Sequence, residues 1–157
     1  MLFRSVPVAD AVFRVERLPA GVVEYARDSI SLGWEERLKG RARRRTEGGV
    51  EFGTALPRGT VLREGDCLVL ENAALLVVVH ESLDPVLVVT PSGEAQFALW
   101  AYHIGNSHQP LMITGESLIC PDVTGMQQVL DYHAIPFTRE RRPFTPVSQA
   151  PGHHGEV

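Results

Sequence analysis

Six histidines and two cysteines are the residues of this chain best suited to metal ligation or acid–base work. In "AYHIGNSHQPLMI", Ala101 to Ile113, His103 and His108 stand five residues apart around Gly105-Asn106. An apolar helical run precedes the segment, and a proline with an apolar strand follows it. Imidazoles there suit a surface role, an acid/base pair or metal ligation, although the segment alone cannot enclose a metal. On one continuous helix the two side chains would point about 140° apart, so they do not form an HExxH-type pair. Gly105 and Asn106 tolerate left-handed backbone, so the spacing predicts that the helix stops at Gly105 and swings His108 outward. His103, on the flank of that helix, reads by itself as a surface or half-buried histidine.

A single exposed imidazole is a weak monodentate ligand. It becomes a site where a symmetry mate brings a second copy, as any residue near the axis of an isologous dimer does. Imidazole suits Ni, Cu, Zn and Fe, and an open two-histidine site needs further ligands. His153 and His154, near the C-terminus, have Pro-Gly flanks that would let them fold back over such a metal. His80, within a strand, and His133, within a helix, read as structural.

Other chemistry lacks its parts. There is no GxSxG, GxxxxGK[ST] or HExxH, which removes the usual frames for nucleophilic, NTP-hydrolysing and zincin chemistry. Cys67 and Cys120 form no CxxC pair and read as buried small hydrophobes in a reducing cytoplasm. The run "RLKGRARRR", Arg37 to Arg45, carries six basic residues in nine. It fits a contact with nucleic acid or acidic protein, or simply a solvated strand balanced by Glu35, Glu36, Glu47 and Glu51. No aromatic interleaving supports base stacking, and a net charge of -4 gives no global pull on nucleic acid.

The elements that must position these residues divide into two halves. The 157 residues, 44% hydrophobic and 22% charged, allow one medium domain or two small ones. The longest apolar stretch, "AALLVVV" (Ala73 to Val79), is too short to span a bilayer, and the N-terminus meets Arg4 and Pro7 too early for a signal peptide. Up to about Asn72, short β-like runs broken by Gly and Pro predict a β-rich domain, with one or two helical turns at "WEERLKG" stopped by Gly40. Beyond it, "PVLVVT" reads as a strand buried on both faces. "PSGEAQFALWAYHIG" reads as a helix capped by Ser92, with Phe97, Trp100, Ala101 and Ile104 on one face. "PLMIT-GE-SLIC" predicts a hairpin with a type II′ Gly-Glu turn. "TGMQQVLDYHA" predicts a helix capped by Thr124, and "IPFTRERRPF" an edge strand. The order is βαββαβ, the ferredoxin-like arrangement. The fold expected is therefore α+β: a β-rich N-terminal domain over 1–74, a ferredoxin-like domain over 75–144 and a flexible tail over 145–157, the Leu83-Asp84-Pro85 region being the natural boundary.

With these residues in hand, the chain resembles the UreE family of urease accessory proteins, which are nickel metallochaperones. "WEERLKGRARRR" followed by "GGVEFGTALPRGTVLREGDCL" is similar to the family's N-terminal domain. "AYHIGNSHQPLMI" is similar to its most diagnostic segment, usually YHLGNRH before a short strand. The resemblance covers nearly the whole chain and implies an N-terminal domain that binds protein or peptide. It implies a ferredoxin-like metal domain that dimerises and binds Ni²⁺ through His108 across the twofold axis, with tail histidines as added ligands. Here those are His153 and His154, and His103 joins them as a candidate. Zn²⁺ or Cu²⁺ would compete for the same imidazoles. Two departures are plain: Ser107 stands where arginine is commoner, and the tail has two histidines instead of a long run. The expectation is a cytoplasmic homodimer, not an enzyme, that delivers Ni²⁺ to apo-urease with the accessory GTPase as a further partner. It has no nucleic-acid or membrane partner. The rival readings are a small hydrolase using His103 and His108, and an interaction module built on Arg37 to Arg45.

Overall fold

The computed structural model describes residues 5–147, and the chain divides into two units, Met1–Ser82 and Leu83–Val157. In the first unit the short alternating runs form two sheets. Strands β1 (Val8–Ala9), β4 (Arg41–Arg45) and β5 (Glu51–Ala55) pair in the order β1-β5-β4. Strands β2 (Val12–Phe13), β3 (Ala26–Leu32), β6 (Cys67–Leu70) and β7 (Leu75–Glu81) pair in the order β2-β6-β7-β3. Because successive side chains alternate between faces, β6 turns Leu68 and Leu70 to one core and Cys67 and Val69 to another. In β7, Leu75, Val77 and Val79 join the first core and Leu76 the second. A central pair covered on both faces has no polar side, which is why this part of the sequence reads as an unbroken apolar run.

Helix α1 (Trp34–Arg37) is a single turn, and it explains part of the basic run. Arg44 is buried, and its guanidinium donates to the carbonyls of Glu36 at 3.0 Å and Lys39 at 2.8 Å and to Thr54 Oγ1 at 3.2 Å. It supplies donors to carbonyls at the end of the turn, where a cation is also favoured by the peptide dipoles. Arg37 is buried too, with its Nη1 donating to the Leu62 carbonyl at 3.1 Å. The run is therefore not a uniformly solvated strand: Arg41, Arg43 and Arg45 are exposed on one face of β4, and Arg44 points inward.

The second unit is the expected βαββαβ arrangement. Its elements are β8 (Asp84–Val89), α2 (Glu94–Asn106), β9 (Met112–Ile113), β10 (Leu118–Pro121), α3 (Met126–Tyr132) and β11 (Thr138–Arg142). The antiparallel sheet runs β11-β8-β10-β9, with β11 at an edge as its flanking prolines predict. Leu87 and Val89 of β8, Leu118 and Cys120 of β10, Ile104 of α2 and Met126 and Leu130 of α3 share one core. Val86 and Val88 are buried as well, so β8 is apolar and covered on both faces from Val86 to Val89.

Four local expectations need correction. The strand Leu75–Glu81 hydrogen-bonds into the first unit's sheet, so the division falls after Ser82, in the Leu83–Pro85 region, and not at residue 74. Helix α2 is capped by Gly93 and not by Ser92; the Gln96 side chain reaches back to accept the Ser92 N–H at 2.7 Å. Helix α3 is capped by Gly125, at φ 91°, and not by Thr124. The hairpin closes around Gly115-Glu116, with the Thr114 N–H donating to the Ser117 carbonyl at 2.9 Å. Gly115 is not among the glycines at positive φ, so the turn is not type II′. Among the described residues no helix is long and apolar enough to cross a membrane.

Candidate metal centre

The end of α2 sets the position of His108. The helix continues through Gly105 to Asn106, with Ser107 as its C-cap. The Ser107 N–H donates to the His103 and Ile104 carbonyls, both at 3.2 Å, and its hydroxyl donates to the His103 carbonyl at 2.9 Å. The expected stop at Gly105 is one helical step too early, because Gly105 keeps helical backbone. The left-handed residue is His108 itself, at φ 54°, with its N–H donating to the Gly105 carbonyl at 3.0 Å. A non-glycine residue in that conformation costs about 1–2 kcal/mol, and the sequence places glycine three positions before it is needed.

Two buried side chains pin the turn. Ile104 is fully buried on one side of His108 and Leu111 is buried on the other. Between them His108 is exposed, and no described residue hydrogen-bonds its ring. The result is an imidazole on a fixed backbone with both nitrogens open to a ligand from outside.

The chain returns to this turn after Phe144. The Thr145 N–H approaches Met112 Sδ at 3.3 Å, and the Val147 N–H donates to the Leu111 carbonyl at 2.7 Å. The segment therefore runs back along β9 toward Pro110 and His108. His153 and His154 lie outside the described residues.

His103 is half-buried and does something that spacing did not suggest. Its ring stacks on His133, with centroids 4.1 Å apart and planes inclined by 17°. His133, read as structural, sits at the C-cap of α3. There the Ala134 N–H donates to the Asp131 carbonyl at 3.0 Å and the Ile135 N–H to the Leu130 carbonyl at 2.9 Å, a Schellman ending with Ala134 at φ 53°. The signal available in the sequence was the Tyr-His pair, Tyr102-His103 and Tyr132-His133, near the end of both helices. His80 is exposed and bonds Glu64 Oε1 through Nδ1 at 2.7 Å, a contact that holds the Glu64 carboxyl below its usual range.

Neither cysteine is a ligand candidate in this fold. Cys120 is fully buried, and desolvation pushes its thiol up to about 12; burial also raises Cys67. A buried thiol that keeps its proton is a poor nucleophile, and burial keeps both sulfurs from an ion in solvent. Among the described residues no group of three or more His, Cys, Asp or Glu side chains is placed to hold a metal ion. Any ion bound at His108 therefore needs ligands from a second copy, the tail or water.

Comparison with known proteins adds the family context. Residues 15–81 match the family model described as UreE urease accessory protein, N-terminal domain, and residues 84–157 match that of the C-terminal domain. The urease accessory protein UreE of a Nostoc species is 36% identical over 126 residues, covering 80% of this chain and 86% of that protein. That of Rhodobacter capsulatus is 36% identical over 135 residues, covering 86% of this chain and 83% of the relative. The Thermosynechococcus vestitus protein is 34% identical over 136 residues, covering 86% and 94%.

Proposed function

Since the chain belongs to the UreE family of urease accessory proteins, a family of accessory chaperones and not of enzymes, we propose that it binds Ni²⁺ and delivers it to apo-urease. The observation that carries this reading is His108: an exposed imidazole at φ 54°, anchored by Ile104 and Leu111, with no partner on its ring among the described residues. Imidazole is a ligand type that suits nickel, and one copy gives only one donor. A twofold dimer of the second unit, with the His108 residues meeting at the axis, supplies two. The course of the chain at Val147 supports the tail as the source of more. His153 lies six positions beyond Val147, a reach of roughly 20 Å when extended.

Such a site performs ligand exchange. Its ligands come from two chains and two tails, so they can leave one at a time as an acceptor takes the ion. Catalytic and structural zinc sites hold a fixed set of protein ligands. The setting is a cytoplasmic homodimer, with apo-urease and its accessory GTPase as partners. Zn²⁺ and Cu²⁺ would bind the same donors, since divalent affinity rises toward Cu²⁺ for any such site.

The hydrolase reading loses its basis, because the His103 ring stacks on His133 and no described Asp or Glu hydrogen-bonds or ion-pairs with His108. The interaction-module reading keeps only the exposed part of the basic run, since Arg37 and Arg44 are buried.

Calorimetry with NiCl₂ on the full chain and on His108→Ala, beside sedimentation of both, tests the proposal. The tightest event should be one ion per dimer and should vanish in the variant with its fold intact. An unchanged tight event would remove His108 from the site.

A further inference from the structure

The pair His103 and His133 is used by none of the foregoing. Helices α2 and α3 pack on the same face of the sheet through Ile104 and Leu130, and each carries a Tyr-His dipeptide in or just after its last turn. The His103 and His133 rings are half-buried and stacked at 4.1 Å, and the Tyr132 ring stands edge-on to His133 at 4.9 Å. No described residue hydrogen-bonds either imidazole.

Stacking alone is one account of this arrangement, and it makes no use of nitrogen. The spacing makes a second account available. An octahedral or square-planar ion such as Ni²⁺ or Cu²⁺, bound at about 2.0–2.1 Å by two imidazoles about 90° apart, puts the ring centroids roughly 4.5 Å apart, and a tetrahedral ion puts them roughly 5.2 Å apart. The observed 4.1 Å is within a few tenths of the first value. The planes are nearly parallel at 17°, so chelation needs rotation about the terminal side-chain torsions. Those are soft, broad torsions, and the backbone of neither helix has to move. The ends of two helices also present carbonyl dipoles that favour a cation.

We propose that His103 and His133 form a second divalent-metal station, one per chain, separate from the site at His108 and selective for imidazole-loving ions such as Ni²⁺, Cu²⁺ and Zn²⁺. With no third described protein ligand, water fills the remaining positions, and the station is weaker and faster to exchange than a site with four protein donors.

The test uses the full chain carrying His108→Ala, His153→Ala and His154→Ala, titrated with NiCl₂ in a calorimeter. This background should still take up about one Ni²⁺ per chain. Adding His133→Phe keeps a ring for the stack and removes both nitrogens. The melting temperature should hold while Ni²⁺ affinity falls at least tenfold, and His103→Phe should act alike. The copper form should show two-nitrogen hyperfine structure in the background and one-nitrogen structure in either Phe variant. A background that binds no Ni²⁺, or a His133→Phe variant that binds it unchanged, overturns the station and leaves the pair as packing. The His108 reading is judged separately, on the tight event of the otherwise native chain.

Discussion

The Val147 N–H donates to the Leu111 carbonyl at 2.7 Å, which ties the last described residue to the segment that leads out of His108. Removing residues 151–157 should leave the melting temperature of the metal-free protein nearly unchanged, because this segment has few apolar residues to add to a core. Nickel affinity should fall by on the order of tenfold, about 1.4 kcal/mol, if one imidazole ligand is lost. Calorimetry on the truncated chain checks this, and wild-type affinity would make His153 and His154 bystanders.

His108→Gly separates backbone from ligand. Glycine adopts φ 54° without the steric cost that histidine bears there, so the metal-free variant should unfold at the same temperature or slightly higher. The tightest nickel event should disappear. A large loss of stability would mean that the imidazole is a packing residue.

Ala134→Gly makes the same backbone test away from His108. Ala134 holds the left-handed position of the α3 ending at φ 53°. Glycine there should stabilise the second unit by about 0.5–1 kcal/mol, or a few degrees of melting temperature, with the tightest nickel event unaltered.

In the basic run, neighbours should behave oppositely. Arg44→Met removes the guanidinium that bonds the Glu36 and Lys39 carbonyls and Thr54 Oγ1, and denaturant titration should show a loss of about 2–4 kcal/mol. Arg43→Ala, exposed on the other face of β4, should stay within about 0.5 kcal/mol. Nickel binding should be spared in Arg43→Ala, and binding of an acidic partner protein weakened.

Alkaline stability should report Cys120. Its thiol is pushed up to about 12 in the fold, whereas an unfolded cysteine ionises near 8.5. Between those values the folded chain holds a proton that the unfolded chain has released, so stability falls as pH rises. The slope is about 1.4 kcal/mol per pH unit. Urea midpoints from pH 8.5 to 10 should fall less steeply for Cys120→Ala than for the native chain.

The order βαββαβ was legible because each element carries its own local pattern. An apolar β-branched run, a helical stripe through Phe97, Trp100, Ala101 and Ile104, and a proline-flanked edge strand need no distant partner to be read. His108 was legible as an outward-facing residue at a helix end for the same reason. The helix boundaries were less so. Gly105 looked like the stop, but hydrogen bonds from Ser107 extend the helix past it, and burial of Leu111 fixes the turn tightly enough to hold a histidine at positive φ. The fates of Arg44 and Arg43 were equally hidden, since a run of like charges does not say which side chain finds carbonyl acceptors inside. The meeting of His103 with His133 lay furthest from sequence. They lie thirty positions apart, and only the packing of two helices on one sheet, with Ile104 and Leu130 in a common core, brings the imidazoles together.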